Sequence, residues 1–406
     1  MGAGIAQVAL ESGARVLLRD VDPTAFERAR ARIADGLVRR ARSRGETGDE
    51  AGAETVAVLA RLERAADLEG LGRVADVVVE AVVEDLALKR RVFATLDEVA
   101  PASTILATNT SALSVGAIGA GLHHPERVVG LHFFNPAPVM ALVELVAPAG
   151  TAPGIVDAAE RLAVSWGKTV VRSADAPGFI VNRVNRPFTL EALRMLEAGL
   201  GTVESIDAAV RADGFPMGPF ELMDLVGIDV NLAAARAIFE ASRYEPRFRP
   251  SAIQERLVEA GRLGRKSGEG FYWYGEDGRP LGMAGAFAAD RPFVEATQPM
   301  ERLLPSGDAD LTPPSAVDPL VERILLPIVN EAYLALGESV ARSIADIDLA
   351  LRLGAGHPRG PFEQVDRLGG PAGVVARLER LVARAGPGAA ARFAPAPLLL
   401  DAARSG

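Results

Sequence analysis

The first ~175 residues alternate short β-branched runs with longer stretches of helical spacing, which restricts this part of the chain to a parallel sheet wrapped by helices. Expected strands are Arg15–Asp20, Ala75–Val83, Thr104–Thr108, Arg127–Phe134, Leu142–Val146 and Lys168–Arg172. Helical spacing covers Asp22–Arg44, Glu54–Asp67 and Leu86–Val99, with Asp22-Pro23 as the start signal of the first. Open sheets of this kind bind nucleotides at the carboxyl ends of their strands. From Pro177 the pattern turns helical. Thr202-Val-Glu-Ser205 is an N-terminal cap signal, and Met217-Gly-Pro-Phe-Glu221 is a break before another helix.

Composition narrows the function. At 406 residues the chain is long enough for two or three domains, each with its own core. A net charge of −9 argues against a nucleic-acid partner. With no cysteine there is no disulfide, thiol nucleophile or thiolate metal site, and four scattered histidines form no zinc cluster, so no metal is expected. No apolar run approaches the ~20 residues of a spanning helix, and no basic leader is visible. The expected location is cytoplasmic, with no membrane partner.

One histidine stands apart. His123, His124 and His357 sit beside prolines in loop-like sequence, whereas His132 lies inside a strand of Val, Leu and Phe. Glu144 is likewise carried between Val143 and Leu145. An ionisable group in apolar surroundings needs a partner, and such pairs are where proton transfer is arranged. The competing reading is a core histidine bonded to backbone.

The chain opens with Gly2-Ala-Gly4-Ile-Ala-Gln, which looks like the helix following a dinucleotide-binding glycine loop, ended by Gly13 and followed by a strand closing on Asp20. If Gly2 is the third glycine of such a fingerprint, Asp20 falls where an acid binds the adenosine ribose, favouring NAD over NADP. The preceding strand and the first two glycines are absent from this sequence, so the expectation is that translation begins upstream of Met1. Taken alone, Gly2, Gly4 and Asp20 also fit ordinary structural roles.

Four motifs then carry a resemblance: Thr108-Asn-Thr-Ser111-Ala-Leu-Ser114, Gly130-Leu-His-Phe-Phe-Asn-Pro136, Ala176-Pro-Gly-Phe-Ile-Val-Asn-Arg183 and Gly264-Arg-Lys-Ser-Gly-Glu-Gly-Phe-Tyr272. In this order they resemble the 3-hydroxyacyl-CoA dehydrogenases over nearly the whole chain. The resemblance implies that His132 removes the 3-hydroxyl proton as hydride passes to NAD, that Glu144 orients it, and that Ser111 and Asn182 bond the reacting oxygen or the histidine. It also implies cofactor contacts from Glu84, Lys89 and Asn109, beside Gly2 and Asp20. Glu84 and Lys89 have an alternative as an ordinary surface pair, Asn182 as a polar residue on a helix face, and Ser111 as a helix cap. The basic run Arg28, Arg30, Arg32, Arg39, Arg40, Arg42, Arg44 is either a solvated helix face or a source of cations for coenzyme A phosphates.

The helical half repeats. Ser205-Ile-Asp207, Gly218-Pro-Phe-Glu221 and Asp224-Leu-Val-Gly227 recur as Asp346-Ile-Asp348, Gly360-Pro-Phe-Glu363 and Asp366-Arg-Leu-Gly369, and Glu191-Ala192 is echoed by Glu331-Ala332, at offsets of 140 to 142 residues. The second copy shows no placeable counterpart of Asn182. The expected fold is α/β: a Rossmann-type doubly wound sheet lacking its first strand (1–175), then two all-α modules (176–282 and 317–406) joined by a linker (283–316). By the resemblance these modules are 6-phosphogluconate-dehydrogenase-like, and the second could take the place of a dimer partner's domain. The expected activity is NAD-dependent oxidation of (S)-3-hydroxyacyl-CoA, most like 3-hydroxybutyryl-CoA, in fatty-acid or aromatic-acid degradation. 3-Hydroxyadipyl-CoA is the alternative substrate, and a non-catalytic nucleotide-binding or crystallin-like relative is the alternative of another class. The partner is the acyl-CoA substrate, and the chain is a monomer or homodimer.

Overall fold

The computed structural model describes residues 1–45, 49–285, 317–385 and 390–405, in two compact units, Met1–Phe179 and Ile180–Gly406. Most of the linker expected at 283–316 lies outside the described residues. None of the described helices is long and apolar enough to cross a membrane.

The first unit runs α1 (Gly2–Glu11), β1 (Val16–Leu18), α2 (Ala25–Ser43), α3 (Asp49–Leu59), β2 (Leu62–Arg64), α4 (Leu68–Val74), β3 (Val77–Glu80), α5 (Leu86–Val99), β4 (Ile105–Thr108), α6 (Val115–Gly119), β5 (Val128–Phe133), β6 (Leu142–Ala147), α7 (Pro153–Ser165) and β7 (Thr169–Ala174). Strands β3 to β7 form one sheet in chain order. Every residue of β4 and β5 is buried, as expected of strands covered on both faces. Ile5, Val8, Val156, Ala159 and Ala163 pack with Ala107, Val129, Leu131 and Leu145 on one side. Phe93, Leu96, Val115 and Ile118 pack with Leu106, Val128 and Val146 on the other. This is the doubly wound architecture.

Three local expectations need correction. The helix expected over 54–67 stops at Leu59, and Leu62–Arg64 forms β2, parallel to β1 with Val16 opposite Leu62. Only Leu62 of its three residues is buried, so the strand is too short to show an alternation. Helix α4 was not anticipated either; the Asp67 carboxylate starts it by accepting the Gly70 amide at 2.6 Å. The sheet is also mixed, because β5 and β6 run antiparallel. Among the described residues β1 pairs only with β2 and β3 only with β4, leaving the sheet in two pieces.

The second unit comprises α8 (Val181–Val184), α9 (Arg186–Glu197), α10 (Val203–Ala212), α11 (Pro219–Val226), α12 (Ile228–Ala241), α13 (Ala252–Glu259), the hairpin β8 (Tyr272–Tyr274) and β9 (Pro280–Met283), α14 (Pro319–Gly337), α15 (Ile344–Ala355), α16 (Gly370–Arg384) and α17 (Pro397–Ser405). Its two copies use the same clamps. Asp207 accepts the Phe220 amide at 3.0 Å, and Asp348 accepts that of Phe362 at 2.8 Å. Glu221 and Glu363 accept the amides of Gly218 and Gly360. A side chain at either glycine would collide with the facing aspartate.

Helix α14 packs on α8 and α9 through a reciprocal set of ion pairs. Arg183 reaches Glu331 at 2.7 Å, and Arg323, 140 residues after Arg183, reaches Glu191, 140 residues before Glu331, at 2.7 Å. Arg247, stacked on Phe248, also pairs with Glu331, while Arg392, stacked on Phe393, approaches Glu191. When residue i meets j and the equivalents of j and i also meet, the contact has the form of a twofold interface, here built within one chain. The register supplies the counterpart of Asn182 that the sequence left unplaced, namely Glu322. The first copy breaks its helix at Asn185 before Pro187, whereas α14 runs unbroken through the matching Pro327.

Candidate active site

Antiparallel pairing of β5 and β6 sets His132 directly opposite Glu144. Side chains opposite one another on a sheet share a face, so two residues twelve apart become neighbours. His132 Nδ1 and a Glu144 carboxylate oxygen lie 2.7 Å apart, with the histidine 6% and the glutamate 0% exposed. An ionised carboxylate only accepts hydrogen bonds, so Nδ1 is the donor and Nε2 is left with its lone pair free for a proton. Phe134 and Phe179 flank the imidazole, with ring centroids 4.6 and 5.7 Å away. The backbone-bonded core histidine, the competing sequence reading, is not what the structure shows.

The turn between these strands is pinned by a residue the sequence reading missed. Lys168 is buried and donates to the Ala137 and Met140 carbonyls at 2.6 and 2.8 Å. Burial, reinforced by Arg40, lowers its pKa from the ordinary lysine value, against the pull of Glu11. Asn109 fixes the other side, its carbonyl oxygen accepting the Phe133 amide at 2.9 Å.

Ser111 lies in a loop held at both ends. Glu84 accepts the Thr110 hydroxyl at 2.6 Å and the Ser111 and Ala112 amides at 2.9 and 3.1 Å, with the Ser111 hydroxyl 3.4 Å away. Burial works to raise the Glu84 pKa, but the Thr110 hydroxyl, Lys89 and these amides outweigh it and hold it below the usual range. Asp175 grips the far end, accepting the Ser114 hydroxyl and the Val115 and Gly116 amides. Ser114, not Ser111, caps α6, so capping does not account for Ser111.

Lys89 is no surface residue, being 1% exposed and bonded to Glu80 at 2.8 Å and paired with Glu84 at 3.3 Å. Glu80 also takes the Thr108 hydroxyl and the Val82 amide. Lys89 therefore supports the partly exposed Glu84 from below. The sequence reading overlooked Glu80, although a lone acid closing the apolar run Val77–Val79 was a signal for it. Asp175 and Lys168 gave no such signal, since their partners are remote in sequence.

At the carboxyl end of β1, exposed Asp20 accepts the Asp22 amide at 2.9 Å, and α1 opens at Gly2 with no side-chain cap. An acid at a strand end and an open helix N-terminus suit a dinucleotide's ribose and diphosphate. Asn182 lies on α8 of the helical unit. His357, expected in a loop, is in one but buried, bonded to Asn185 at 2.7 Å and packed on Phe188 and Phe215. Burial pushes its pKa down to about 3, which keeps it neutral. The basic run of α2 is largely solvated, with Arg28 on Asp22 and Arg40 on Glu11.

Known proteins resemble this chain along nearly all of its length. Residues 1–176 match the profile of the 3-hydroxyacyl-CoA dehydrogenase NAD binding domain, and residues 178–274 and 320–406 that of the C-terminal domain. The chain is 40% identical to the 3-hydroxyadipyl-CoA dehydrogenase of Escherichia coli K12, over 91% of this chain and 89% of that protein. Among solved structures, 3-hydroxybutyryl-CoA dehydrogenase from Escherichia coli K12 superposes with a TM-score of 0.81 at 37% identity, covering 100% of this chain and 96% of that one. The (S)-3-hydroxybutyryl-CoA dehydrogenase from Ralstonia eutropha gives 0.64 at 34% identity, over 68% of this chain and 96% of its own.

Proposed function

This chain belongs to the 3-hydroxyacyl-CoA dehydrogenase family of NAD-dependent oxidoreductases, and we propose that His132 is its catalytic base, Glu144 its orienting partner, and Ser111 and Asn182 the donors to the reacting oxygen. The observation that carries the reading is the buried 2.7 Å contact between His132 Nδ1 and Glu144. Bound NAD supplies the hydride acceptor, held by Asp20 and the start of α1. Nε2 takes the 3-hydroxyl proton as the carbonyl forms, and Glu144 stabilises the resulting imidazolium. In the reverse direction the imidazolium returns that proton, while hydroxyl and amide donors stabilise the developing alkoxide. Phe134 and Phe179 keep water from the ring. Glu84, braced by Lys89 and Glu80, fixes the loop that presents Ser111 and would line the cofactor site, and Asn109 anchors the catalytic strand.

The substrate is a short (S)-3-hydroxyacyl-CoA, with 3-hydroxybutyryl-CoA and 3-hydroxyadipyl-CoA as the two chains to distinguish. The tandem helical copy does not choose between them, because the full-length relative named for 3-hydroxyadipyl-CoA and the full-length solved structure named for 3-hydroxybutyryl-CoA both match this chain over nearly all of its length. The reciprocal ion pairs support a role for the second copy as a built-in partner domain. Light scattering on the full chain should then give a monomer, and dimerisation through the first copy would contradict that role. Substituting Glu144→Gln should lower kcat for acetoacetyl-CoA reduction about 10²–10³-fold with KM little changed, as expected when only the chemical step is affected. A rise in KM at constant kcat would remove Glu144 from that step.

A further inference from the structure

Four arginines are buried among the described residues: Arg127, Arg183, Arg186 and Arg377. Three have carboxylate partners, Arg127 with Asp97 at 2.8 Å, Arg183 with Glu331 and Glu338 at 2.7 and 2.8 Å, and Arg377 with Glu322 at 3.2 Å. Arg186 has none. It is 6% exposed, and its Nε is sealed from solvent without a hydrogen-bond acceptor. Burial alone pushes its pKa down to about 10, so it remains cationic at neutral pH. A buried charge without a partner is costly, and a fold does not retain one for packing.

The second helical copy shows that packing does not ask for it. The residue 140 positions on is Leu326, 2% exposed, between the matching Arg323 and Pro327. An apolar side chain therefore satisfies this place in the scaffold. The extra cation belongs to the copy that also keeps Asn182, and it lies four residues beyond Asn182. The break at Asn185 is a single residue that keeps helical backbone angles and whose amide donates to the Val181 carbonyl, so Asn182 and Arg186 stay about one turn apart across it. Residues four apart on a helix share a face with Cβ atoms about 5–6 Å apart.

We propose that Arg186 binds a carboxylate at the far end of the substrate's acyl chain, making this protein selective for dicarboxylic 3-hydroxyacyl-CoA thioesters. The assignment rests on the reading of Asn182 as a donor to the reacting oxygen. A terminal carboxylate three carbons beyond the reacting carbon falls within reach of a side chain one turn further along the helix. The phosphates of coenzyme A lie on the other side of the thioester, beyond the pantetheine arm. A guanidinium offers the paired donors that a carboxylate accepts.

The test compares 3-oxoadipyl-CoA with 3-oxohexanoyl-CoA, which have the same chain length and coenzyme and differ in the terminal carboxylate. NADH-dependent kcat/KM is measured for the full chain and for Arg186→Leu and Arg186→Gln. The unsubstituted protein should prefer the dicarboxylic thioester, and both variants should lower the dicarboxylic-to-monocarboxylic ratio at least tenfold. Arg186→Leu, which copies the second module, should melt no lower than the parent. A ratio that moves less than tenfold while both thioesters lose activity together would place Arg186 on a phosphate or in the scaffold, and would overturn the proposal with the dehydrogenase reading intact. No turnover of either thioester by the unsubstituted, folded protein would overturn both.

Discussion

The two helical copies hold their turns with the same aspartate and glutamate clamps, yet they differ on one helix face. In the first copy that face carries Asn182, Asn185 and Arg186; in the second the matching residues are Glu322, Leu325 and Leu326. Clamps such as Asp207 on Phe220 and Asp348 on Phe362 recur because both copies must stop and restart a helix at the same place. The polar face does not recur. Glu322 instead pairs with buried Arg377, which ties it to its own module. A duplicated scaffold thus marks what the fold requires by what appears twice, and on the reading proposed above it leaves Asn182 and Arg186 to the chemistry, while Asn185 holds the buried His357.

The largest effect should come from the contact between the copies. Arg183 is 6% exposed and meets a 2% exposed Glu331, so Arg183→Met should destabilise the helical unit by about 3–5 kcal/mol by leaving a buried carboxylate short of a partner. Arg323→Met should cost less, because Arg323 is 16% exposed and Glu191 keeps both Arg194 at 2.6 Å and Arg392 at 3.7 Å, whereas Glu331 is left with the 24% exposed Arg247. Thermal denaturation reads both, and equal losses would mean the interface is more symmetric in energy than its geometry indicates.

Exchanging the distinctive residues sharpens the comparison next. Asn182→Glu, which imports the second copy's residue, should lower kcat about 10²–10³-fold, the scale of losing one transition-state donor. Glu322→Asn should leave kcat within twofold and lower the melting temperature through Arg377. Steady-state kinetics on both variants checks this, and a comparable kcat loss in Glu322→Asn would put the second copy into the chemistry.

The clamps also differ in their response to pH. Burial pushes Asp207 up to about 7 and Asp224 up to about 6, against the pull of the Phe220, Phe271 and Tyr272 amides and the Tyr272 and Tyr274 hydroxyls. An unfolded aspartate titrates near ~3.9. The native state therefore keeps protons that the unfolded chain has released, so stability falls as pH rises from about 4 to about 7 and then levels off. Denaturant melts across this range should show the slope, and Asp207→Asn should flatten it. Asp348, half-buried, is raised by burial too, and Asp348→Asn should flatten it less. A stability that rises through this window would contradict the burial argument.

The smallest expected difference is at the caps. Thr202→Ala and Ser343→Ala each remove a side-chain acceptor at a helix start and should each cost about 1 kcal/mol. Thr202 should cost somewhat less, because the amide of residue 202 keeps its bond to the Ser205 hydroxyl after the substitution.

Strands with a continuous apolar run, such as Val128–Phe133, and helices with a clear start, such as Leu86–Val99, were legible because their signal is local. So were His132 and Glu144, each a lone charge in an apolar strand. The antiparallel step between their strands was not, though it is what makes them a pair. Leu62–Arg64 was hidden because three residues cannot display a period. Lys168 and Asp175 act through partners 28 to 61 residues away, a relation that no window of sequence contains. Arg186 was unreadable for a similar reason: an arginine is notable only once its surroundings are seen to lack an acid.

The central claim is proton transfer by the His132–Glu144 pair. The most direct test is NADH consumption with acetoacetyl-CoA and 3-oxoadipyl-CoA by the full chain and by His132→Gln, with folding of both checked by circular dichroism. The account predicts turnover by the parent and a loss of about 10²–10⁴-fold in kcat for the variant, and near-parental kcat in a folded His132→Gln protein would contradict it.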